Sequence, residues 1–309
     1  MKILLTGSSG TIGTRLFEKL VELHYDVIGV DRKDNEWNTS LNKKTIKIDL
    51  LEQNSLTKLP ANVDLIIHLA ANARVYDLIK NPDLALQNMV TAFNVVDFAR
   101  KSKVNNIIFS SSREVYGNSV DENLVAEDKA KIELSESPYS ASKISAEALI
   151  HSYSKTFGLN FVIVRFSNVY GMYDVSDRVI PLWVRQALKN EDIVIYGANK
   201  ILDFTYIDDA VNGVVKAIER FEQIKTETFN IASHGKGKAL TYVAHKITEL
   251  LESESKITIK ENRPGEVCKF QADISKAEKL LDYKPKVSIE EGLVRTIEWH
   301  KQFEKRREN

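Results

Sequence analysis

The chain has 309 residues, of which 43% are hydrophobic and 28% charged, an ordinary composition for a globular protein. Lysine plus arginine balance aspartate plus glutamate at 43 each, which argues against a protein that binds nucleic acid or an anionic membrane. The single cysteine, Cys268, excludes an internal disulfide and favours a reducing compartment, so we expect a cytoplasmic protein. The six histidines lack zinc-ligand spacing, and no apolar run approaches the ~20 residues that span a bilayer. We therefore predict neither a metal site nor a membrane segment.

In the first half of the chain, short apolar runs alternate with amphipathic stretches. Several short runs are continuously apolar and β-branched, which is typical of parallel strands covered on both faces. The predicted strands are residues 2–6, 26–30, 45–48, 65–68, 107–110 and 161–165. The predicted helices are residues 11–24, 82–101 and 138–157. This alternation predicts an α/β fold, a Rossmann-type doubly wound parallel sheet over residues 1–170.

The pattern is less regular after about residue 170. Two short strands are predicted at residues 193–196 and 256–260, and two helices at 243–251 and 274–281. We expect a smaller C-terminal α/β lobe over residues 171–309 that mainly binds the substrate. Residues 229–231, within a segment near 203–232, are expected to return to the main sheet.

A glycine-rich segment, Gly7-Ser8-Ser9-Gly10-Thr11-Ile12-Gly13, follows the first predicted strand and opens the first predicted helix. Glycines at this point let the backbone approach a pyrophosphate, whose charge lies at the helix N-terminus. Asp31 ends the second strand, where a carboxylate accepts the adenosine-ribose hydroxyls and repels a 2′-phosphate. The pattern predicts NAD rather than NADP, although Arg32 follows directly. An ordinary tight turn and a loop aspartate are the structural alternatives.

Further cofactor contacts are expected where later strands end. Residues after the third strand would lie near the adenine, and small residues after the fourth let the dinucleotide pass close to the backbone. His68, at the end of that strand, is expected to be structural. The remaining expected cofactor contacts are Asp49, Leu50, Leu69, Ala70, Ala71, Asn88 and Ser110.

Tyr139 and Lys143 are the candidate catalytic pair, at the start of the helix predicted after Pro138. One helical turn places both side chains on the same face. A lysine there is expected to lower the tyrosine pKa from its usual ~10, so that the phenol can accept a proton from a sugar hydroxyl. The same spacing also occurs at three other places in the chain, and a buried tyrosine with a locally satisfied hydroxyl is the alternative.

Taken together, these motifs resemble the extended short-chain dehydrogenase/reductase superfamily, over nearly the whole chain and in the right order. Within it the resemblance is to the nucleotide-sugar epimerase/dehydratase family, above all to the UDP-glucose 4-epimerases. The matching residues are Gly7, Gly10, Gly13, Asp31, Ser110-Ser111-Ser112 before Val115-Tyr116-Gly117, Tyr139, Lys143, Arg165-Phe166-Ser167-Asn168-Val169-Tyr170-Gly171, Asp203-Phe204-Thr205-Tyr206-Ile207-Asp208-Asp209 and Arg263-Pro264-Gly265-Glu266.

The resemblance implies a role for each matching residue. Ser112 would bind the sugar 4-hydroxyl, Tyr139 would act as base and then acid, and Lys143 would bind the nicotinamide ribose. Asn168 and Arg263 would hold the nucleotide diphosphate of a UDP-hexose. NAD would oxidise the sugar at C4 and return the hydride to the other face.

The resemblance also implies a homodimer, formed by the helices predicted at 82–101 and 138–157. Apolar residues of these helices could form that interface or could equally belong to the core. They are Val95, Phe98, Ala146 and Leu149.

Three positions depart from the epimerase pattern. Leu202 stands where many relatives have a phosphate-binding arginine, which Lys200 or Arg185 could replace. Glu114 also resembles the base of 4,6-dehydratases and UDP-glucuronate decarboxylases, unless it pairs with Arg113. Phe270 aligns with a residue near the sugar 2-position, where its ring would crowd an N-acetyl group; packing between the lobes is the alternative.

The sequence leaves four functions open. A nucleotide-sugar 4-epimerase comes first, followed by a dehydratase or decarboxylase that uses Glu114. A reductase would need exchangeable NADPH, against which Asp31 argues. An NAD-binding protein without catalysis is disfavoured by Ser112, Tyr139 and Lys143.

Overall fold

The structure, a computed structural model, describes residues 1–118, 124–233 and 237–308. Its strands in chain order are β1 Lys2–Thr6, β2 Asp26–Asp31, β3 Thr45–Lys47, β4 Leu65–His68, β5 Asn106–Ser112, β6 Asn160–Phe166, β7 Asn168–Tyr170, β8 Ile193–Tyr196, β9 Ile201–Leu202, β10 Phe204–Tyr206, β11 Glu227–Ile231, β12 Lys238–Ala239, β13 Ile257–Lys260 and β14 Lys269–Phe270. Seven of these form the main sheet, in the order β11-β6-β5-β4-β1-β2-β3, and every neighbouring pair is parallel. The predicted Rossmann-type α/β fold is confirmed.

Helices cover both faces of this sheet. In chain order the helices are α1 Thr11–Glu22, α2 Val75–Lys80, α3 Asp83–Lys101, α4 Pro138–Phe157, α5 Val179–Leu188, α6 Ile207–Glu219, α7 Leu240–Leu251, α8 Ser275–Leu281 and α9 Ile289–Glu308. Of these, α1, α3, α4, α6 and α8 contact strands of the main sheet. Successive strand residues point to opposite faces, so Ile3 and Leu5 pack in one apolar core while Leu4 packs in the other. This two-sided burial explains why the strands are continuously apolar.

Helix α4 carries the candidate catalytic pair, and its ends are well defined by the sequence. The Ser137 hydroxyl accepts a hydrogen bond from the Ser140 main-chain N–H, and Pro138 occupies the first turn. Gly158 ends the helix in the left-handed conformation, with φ +73°. The helix therefore begins where the sequence predicts, which fixes Tyr139 in its first turn.

The C-terminal half adds small sheets and helices beside the main sheet. The small sheets pair β7 with β10, β8 with β13, and β9 with β12 and β14. As predicted, the segment containing residues 229–231 returns to the main sheet, where β11 pairs with β6. The short strands β8 and β13 and the helices α7 and α8 lie where the sequence predicts elements, within three residues at each end. Helices α5, α6 and α9 were not among the predicted elements.

The apolar residues of α3 and α4 that could have formed a dimer interface belong to the core instead. Val95, Phe98 and Ala146 are buried in the core between the sheet and helices α3 and α4, and Leu149 packs against that core. Among the described residues, no helix is both long enough and apolar enough to cross a membrane.

Candidate functional site

The glycine-rich segment makes a turn that only glycine fits. Gly7 has φ +71°, and a Cβ atom there would lie 2.7 Å from the main-chain nitrogen of Ala70. A Cβ atom on Gly13 would lie 1.9 Å from the Gly7 carbonyl oxygen. The first glycine thus allows the turn and close contact with the fourth strand's end, and the third lets α1 pack against the turn.

A cavity of 490 Å³ opens beside this turn, at the carboxyl ends of the strands. That edge of an open parallel sheet is where ligands bind in doubly wound folds. Most predicted cofactor residues line it, namely Gly7, Gly10, Thr11, Asp31, Arg32, Asp49, Leu50, Leu69, Ala70, Ala71 and Asn88. The other predicted cofactor residues do not line it; they are Ile12, Gly13, Ser110, Tyr139 and Lys143.

The cavity has two walls that sequence reasoning missed. One is formed by Trp37 in the loop after β2, and the other by residues Tyr173 to Ser176 after β7. Neither segment carries a recognisable motif. They meet through the tertiary fold, where the rings of Trp37 and Tyr173 stack with their centres 6.1 Å apart. Thr11 also donates a hydrogen bond of 2.9 Å to the Tyr173 carbonyl.

Asp31 connects two segments at the edge of the cavity by hydrogen bonds. Its carboxylate accepts hydrogen bonds from the main-chain N–H groups of Ser9, at 3.0 Å, and Lys33, at 3.1 Å. These bonds link β2 to the glycine-rich turn and leave an anionic group at the cavity wall. A negative charge here disfavours an additional phosphate on the ribose.

Asn88 connects the cofactor cavity with the catalytic helix. Its side-chain oxygen accepts from the Asn72 N–H at 2.7 Å, and its side-chain nitrogen lies 3.3 Å from the Ser142 hydroxyl. The residue therefore positions the loop after β4 against α4. His68 shares a 2.7 Å hydrogen bond with Thr6, and burial lowers its pKa to about 3, in keeping with the predicted structural role.

The structure brings Ser112, Tyr139 and Lys143 together, at the end of β5 and the first turns of α4. All three are buried, and Lys143 donates a hydrogen bond of 2.7 Å to the Ser110 carbonyl. Burial lowers the pKa of Lys143 to about 8. The ammonium is thus directed to the end of β5, beside the tyrosine.

The expected lowering of the Tyr139 pKa by Lys143 is wrong for this structure. Burial dominates and raises the pKa of Tyr139, while hydrogen bonding by Ser112 and the charge of Arg178 act in the opposite direction. The Lys143 nitrogen lies 5.8 Å from the centre of the tyrosine ring and is bonded elsewhere. A raised pKa favours the protonated phenol over the phenolate.

Glu114 forms an ion pair with its neighbour Arg113. The Arg113 Nη2 atom lies 2.7 Å from the Glu114 Oε1 atom, and both side chains are almost fully buried. Arg113 also donates a hydrogen bond of 3.1 Å to Asn168. Burial raises the pKa of Glu114 despite this pairing, and the Oε2 atom has no hydrogen-bond partner among the described residues.

Arg263 lies in an open groove of 950 Å³ formed by the C-terminal half of the chain. Its guanidinium lies 3.8 Å from the ring centre of Tyr196 and 4.5 Å from that of Tyr76. Lys200 pairs with Glu266, which is also 4.0 Å from Arg263. The structure therefore places Lys200 near this groove.

Arg185 and Phe270, which were also considered for contact with the substrate, have mainly structural contacts. Arg185 is bonded to Asp177 and the Ser176 carbonyl instead of facing the groove around Arg263. Phe270 is 2% exposed and stacks on Tyr116 at 5.6 Å. The packing interpretation of Phe270 therefore fits the structure, and its ring does not line either cavity. Among the described residues, no cluster of three acidic, histidine or cysteine side chains is placed to hold a metal ion.

Comparison with known proteins agrees with this architecture. Residues 3–232 match the model of the NAD dependent epimerase/dehydratase family. A UDP-N-acetyl-alpha-D-glucosaminuronate decarboxylase of Bacillus cytotoxicus is 32% identical over 98% of this chain and 98% of the relative. Other relatives are named as a UDP-glucuronate 4-epimerase and a dTDP-glucose 4,6-dehydratase.

Two solved structures are also similar over almost their full lengths. A UDP-glucuronic acid 4-epimerase from Bacillus cereus, in complex with UDP-glucuronic acid and NAD, is 30% identical with a TM-score of 0.90, covering 98% of this chain and 100% of that one. A UDP-glucose 4-epimerase from Thermotoga maritima with UDP-glucose is 28% identical with a TM-score of 0.90, covering 98% and 99%. The resemblance stated from the sequence, and NAD as the family's cofactor, are confirmed.

Proposed function

Since the chain belongs to the NAD-dependent epimerase/dehydratase family, we propose that it is a nucleotide-sugar 4-epimerase of the UDP-glucose/UDP-galactose type. The observation that carries this proposal is the grouping of Ser112, Tyr139 and Lys143 beside Ser110, where the tyrosine and the lysine lie on a helix that the cavity residue Asn88 contacts at Ser142. The family contains 4-epimerases, dehydratases and decarboxylases, so the choice among them rests on the residues around this group.

In the proposed reaction, NAD accepts a hydride from the sugar C4 and later returns it to the same carbon. Tyr139 takes the proton of the 4-hydroxyl and gives it back, while Ser112 holds the hydroxyl by a hydrogen bond. Burial raises the pKa of Tyr139, which disfavours its phenolate form. For Tyr139 to act as a base, a further positive charge must lie beside the phenol when NAD and the sugar are bound. Lys143 keeps its position through Ser110 and would orient the ribose.

The nucleotide end of the substrate is proposed to lie in the groove around Arg263. An arginine that stacks on Tyr196 and Tyr76 presents a planar guanidinium whose N–H groups suit a diphosphate. Lys200 pairs with Glu266, which also lies 4.0 Å from Arg263, so its position beside Arg263 makes it the candidate that replaces the arginine absent at Leu202. Asn168, tied to Arg113 and the Asp203 carbonyl, would complete the contact.

A dehydratase or decarboxylase is the second candidate. The buried Glu114 has a raised pKa and an unpaired oxygen, as a general base would, and a decarboxylase is among the relatives. Against it, the carboxylate is held by Arg113 at 2.7 Å, which lowers its basicity. The epimerase proposal therefore treats Glu114 as the partner of Arg113.

The test is product analysis with the purified enzyme and UDP-glucose, without added NAD. The proposal predicts UDP-galactose, reached as an equilibrium mixture from either sugar and abolished in Tyr139→Phe. Parallel incubations with UDP-glucuronate separate the second candidate, because a decarboxylase releases carbon dioxide and leaves a UDP-linked pentose. A 4-keto, 6-deoxy product from a nucleotide hexose would instead identify a dehydratase.

We also propose a cytoplasmic homodimer, formed through an exposed apolar part of α3. Leu86 and Phe93, seven positions apart on one helix face, are 60% and 42% exposed. Light scattering after size exclusion should give a dimer, and Leu86→Glu with Phe93→Glu should give a monomer. Ile132→Glu is the control, since Ile132 is 74% exposed outside this helix.

A further inference from the structure

Four aromatic side chains connect the C-terminal helix to the walls of the cofactor cavity. They are Trp37, Tyr173, Trp299 and Phe303, which we call the aromatic cluster. Trp299 and Phe303 lie one helical turn apart on α9 and stack at 5.1 Å. From the cavity side, Trp37 and Tyr173 belong to the two walls. The cluster therefore spans from α9 to the cofactor site.

Trp299 touches both walls at once. Its ring centre lies 5.7 Å from that of Trp37 and 5.9 Å from that of Tyr173. Phe303 adds a second contact with Trp37 at 5.4 Å. The two wall rings also stack on each other at 6.1 Å. If the two walls moved apart, the ring of Trp37 or of Tyr173 would therefore lose its contact with α9.

Each wall is independently anchored to the glycine-rich turn and α1. On one side, the Asn35 side-chain nitrogen donates to the Ser8 carbonyl and the Thr14 hydroxyl, and its oxygen accepts from the Trp37 N–H at 3.0 Å. On the other side, the Tyr173 hydroxyl donates to Glu18 at 3.0 Å. These bonds attach the two walls to the glycine-rich turn and α1, while α9 packs against the rings of both walls.

The inner part of α9 is fixed in the core, which makes it a firm support. Leu293 and Ile297 are buried with the C-terminal core, and His300 is fully buried next to Trp299. Aromatic pairs at these separations attract each other beyond the burial of their area. The helix is thus attached to the core at its start and to the cavity walls further along.

We propose that Trp299 and Phe303 are positioning residues that keep Trp37 and Tyr173 closed over bound NAD and so slow its release. The inference rests on NAD binding in this cavity, as the proposed function does. A cofactor regenerated in every turnover has no need to leave, and a clamp on both walls favours retention. Loss of the Trp299 ring removes the ring contact of α9 with Tyr173 and one of its two ring contacts with Trp37, so the NAD dissociation rate should rise about ten- to a hundredfold.

The test measures NAD release directly, in the absence of sugar. NAD-loaded Trp299→Ala, Trp299→Phe and wild-type proteins are mixed with excess NADH, and the exchange is followed by NADH fluorescence. Val294→Ala is the matched control, because Val294 is 40% exposed on the same helix and outside the cluster. The proposal predicts fast release from Trp299→Ala, and release within about threefold of wild type from Trp299→Phe and Val294→Ala.

Two results would overturn the proposal: wild-type NAD release from Trp299→Ala, or equally fast release from Val294→Ala. If Trp299→Ala does not fold, Phe303→Ala tests one wall, because the Phe303 ring packs against Trp37; release faster than from Val294→Ala is then expected, and equal release would overturn the proposal. A protein that retains NAD but leaves UDP-glucose unchanged would contradict the proposed epimerase while leaving the clamp intact. A protein that never binds NAD would contradict both.

Discussion

Replacing Glu114 by glutamine separates a structural ion pair from a catalytic base. The substitution keeps the size of the side chain and one acceptor, but it leaves the Arg113 guanidinium buried without the carboxylate that pairs with it. Breaking a buried ion pair from one side costs about 3 to 5 kcal/mol. Because burial already raises the pKa of Glu114, we take the lower end, about 3 kcal/mol.

That loss should be visible in a melting experiment. For a chain larger than 250 residues, each kcal/mol lowers Tm by roughly 2 °C, so Glu114→Gln should melt about 6 °C lower. At a temperature where the variant is folded, kcat should stay within about tenfold of wild type, whereas losing a general base costs about 10²- to 10⁴-fold. Both are measured on the same preparation, by calorimetry and product formation.

The double variant Arg113→Met with Glu114→Gln is the internal control. It removes both charges, and replacing a buried pair as a whole is often neutral, so Tm should recover most of the loss. Unchanged Tm in Glu114→Gln together with a thousandfold loss of kcat would refute the reasoning and favour the dehydratase or decarboxylase.

Three further predictions concern the cofactor, the catalytic tyrosine and pH. Tyr139→Phe should lower kcat by about 10²- to 10⁴-fold while the purified protein still carries NAD, measured by nucleotide release; a variant with normal kcat would rule Tyr139 out as the acid–base group. Asp31→Ser should raise the affinity for NADP relative to NAD by about tenfold or more, because a like charge beside the 2′-phosphate is removed; equal ratios in titrations would contradict that role. Burial, and then Arg185, lower the pKa of His300 to about 4, below the usual ~6.5. The folded protein therefore binds fewer protons at this histidine than the unfolded chain, so the free energy of unfolding decreases as pH falls from about 6.5 to 4. In urea unfolding at a series of pH values, His300→Leu should remove up to about 3 kcal/mol of this decrease. An unchanged pH dependence would refute the assignment.

The strands of the main sheet could be predicted because their pattern is local. Leu65, Ile66 and Ile67 form a continuous apolar run in the strand Leu65–His68, and the structure covers that strand on both faces. The short strands β9 and β14 have two residues each and are defined by tertiary pairing, β14 with β9 and β9 also with β12. Helix α9 is rich in charged residues and has only a narrow apolar side, so the sequence alone offered little signal.

The same distinction applies to the site. The glycine turn and Asp31 follow from local motifs, since each depends on its own strand end. The wall residues Trp37 and Tyr173 come from distant segments and meet across the cavity, which no spacing reveals. The direction of the Tyr139 pKa depends on burial in the folded protein, which the sequence pattern of tyrosine and lysine does not encode.

The most direct test of the proposed epimerase is to run the reaction with UDP-glucose in D2O and locate deuterium in the product by NMR and mass spectrometry. A hydride that leaves C4 and returns to C4 exchanges nothing with solvent, so we expect UDP-galactose without deuterium on any carbon. Absence of UDP-galactose, or deuterium at C5 or C6 of the product, would contradict the account, because C5 proton removal is the chemistry of a base such as Glu114.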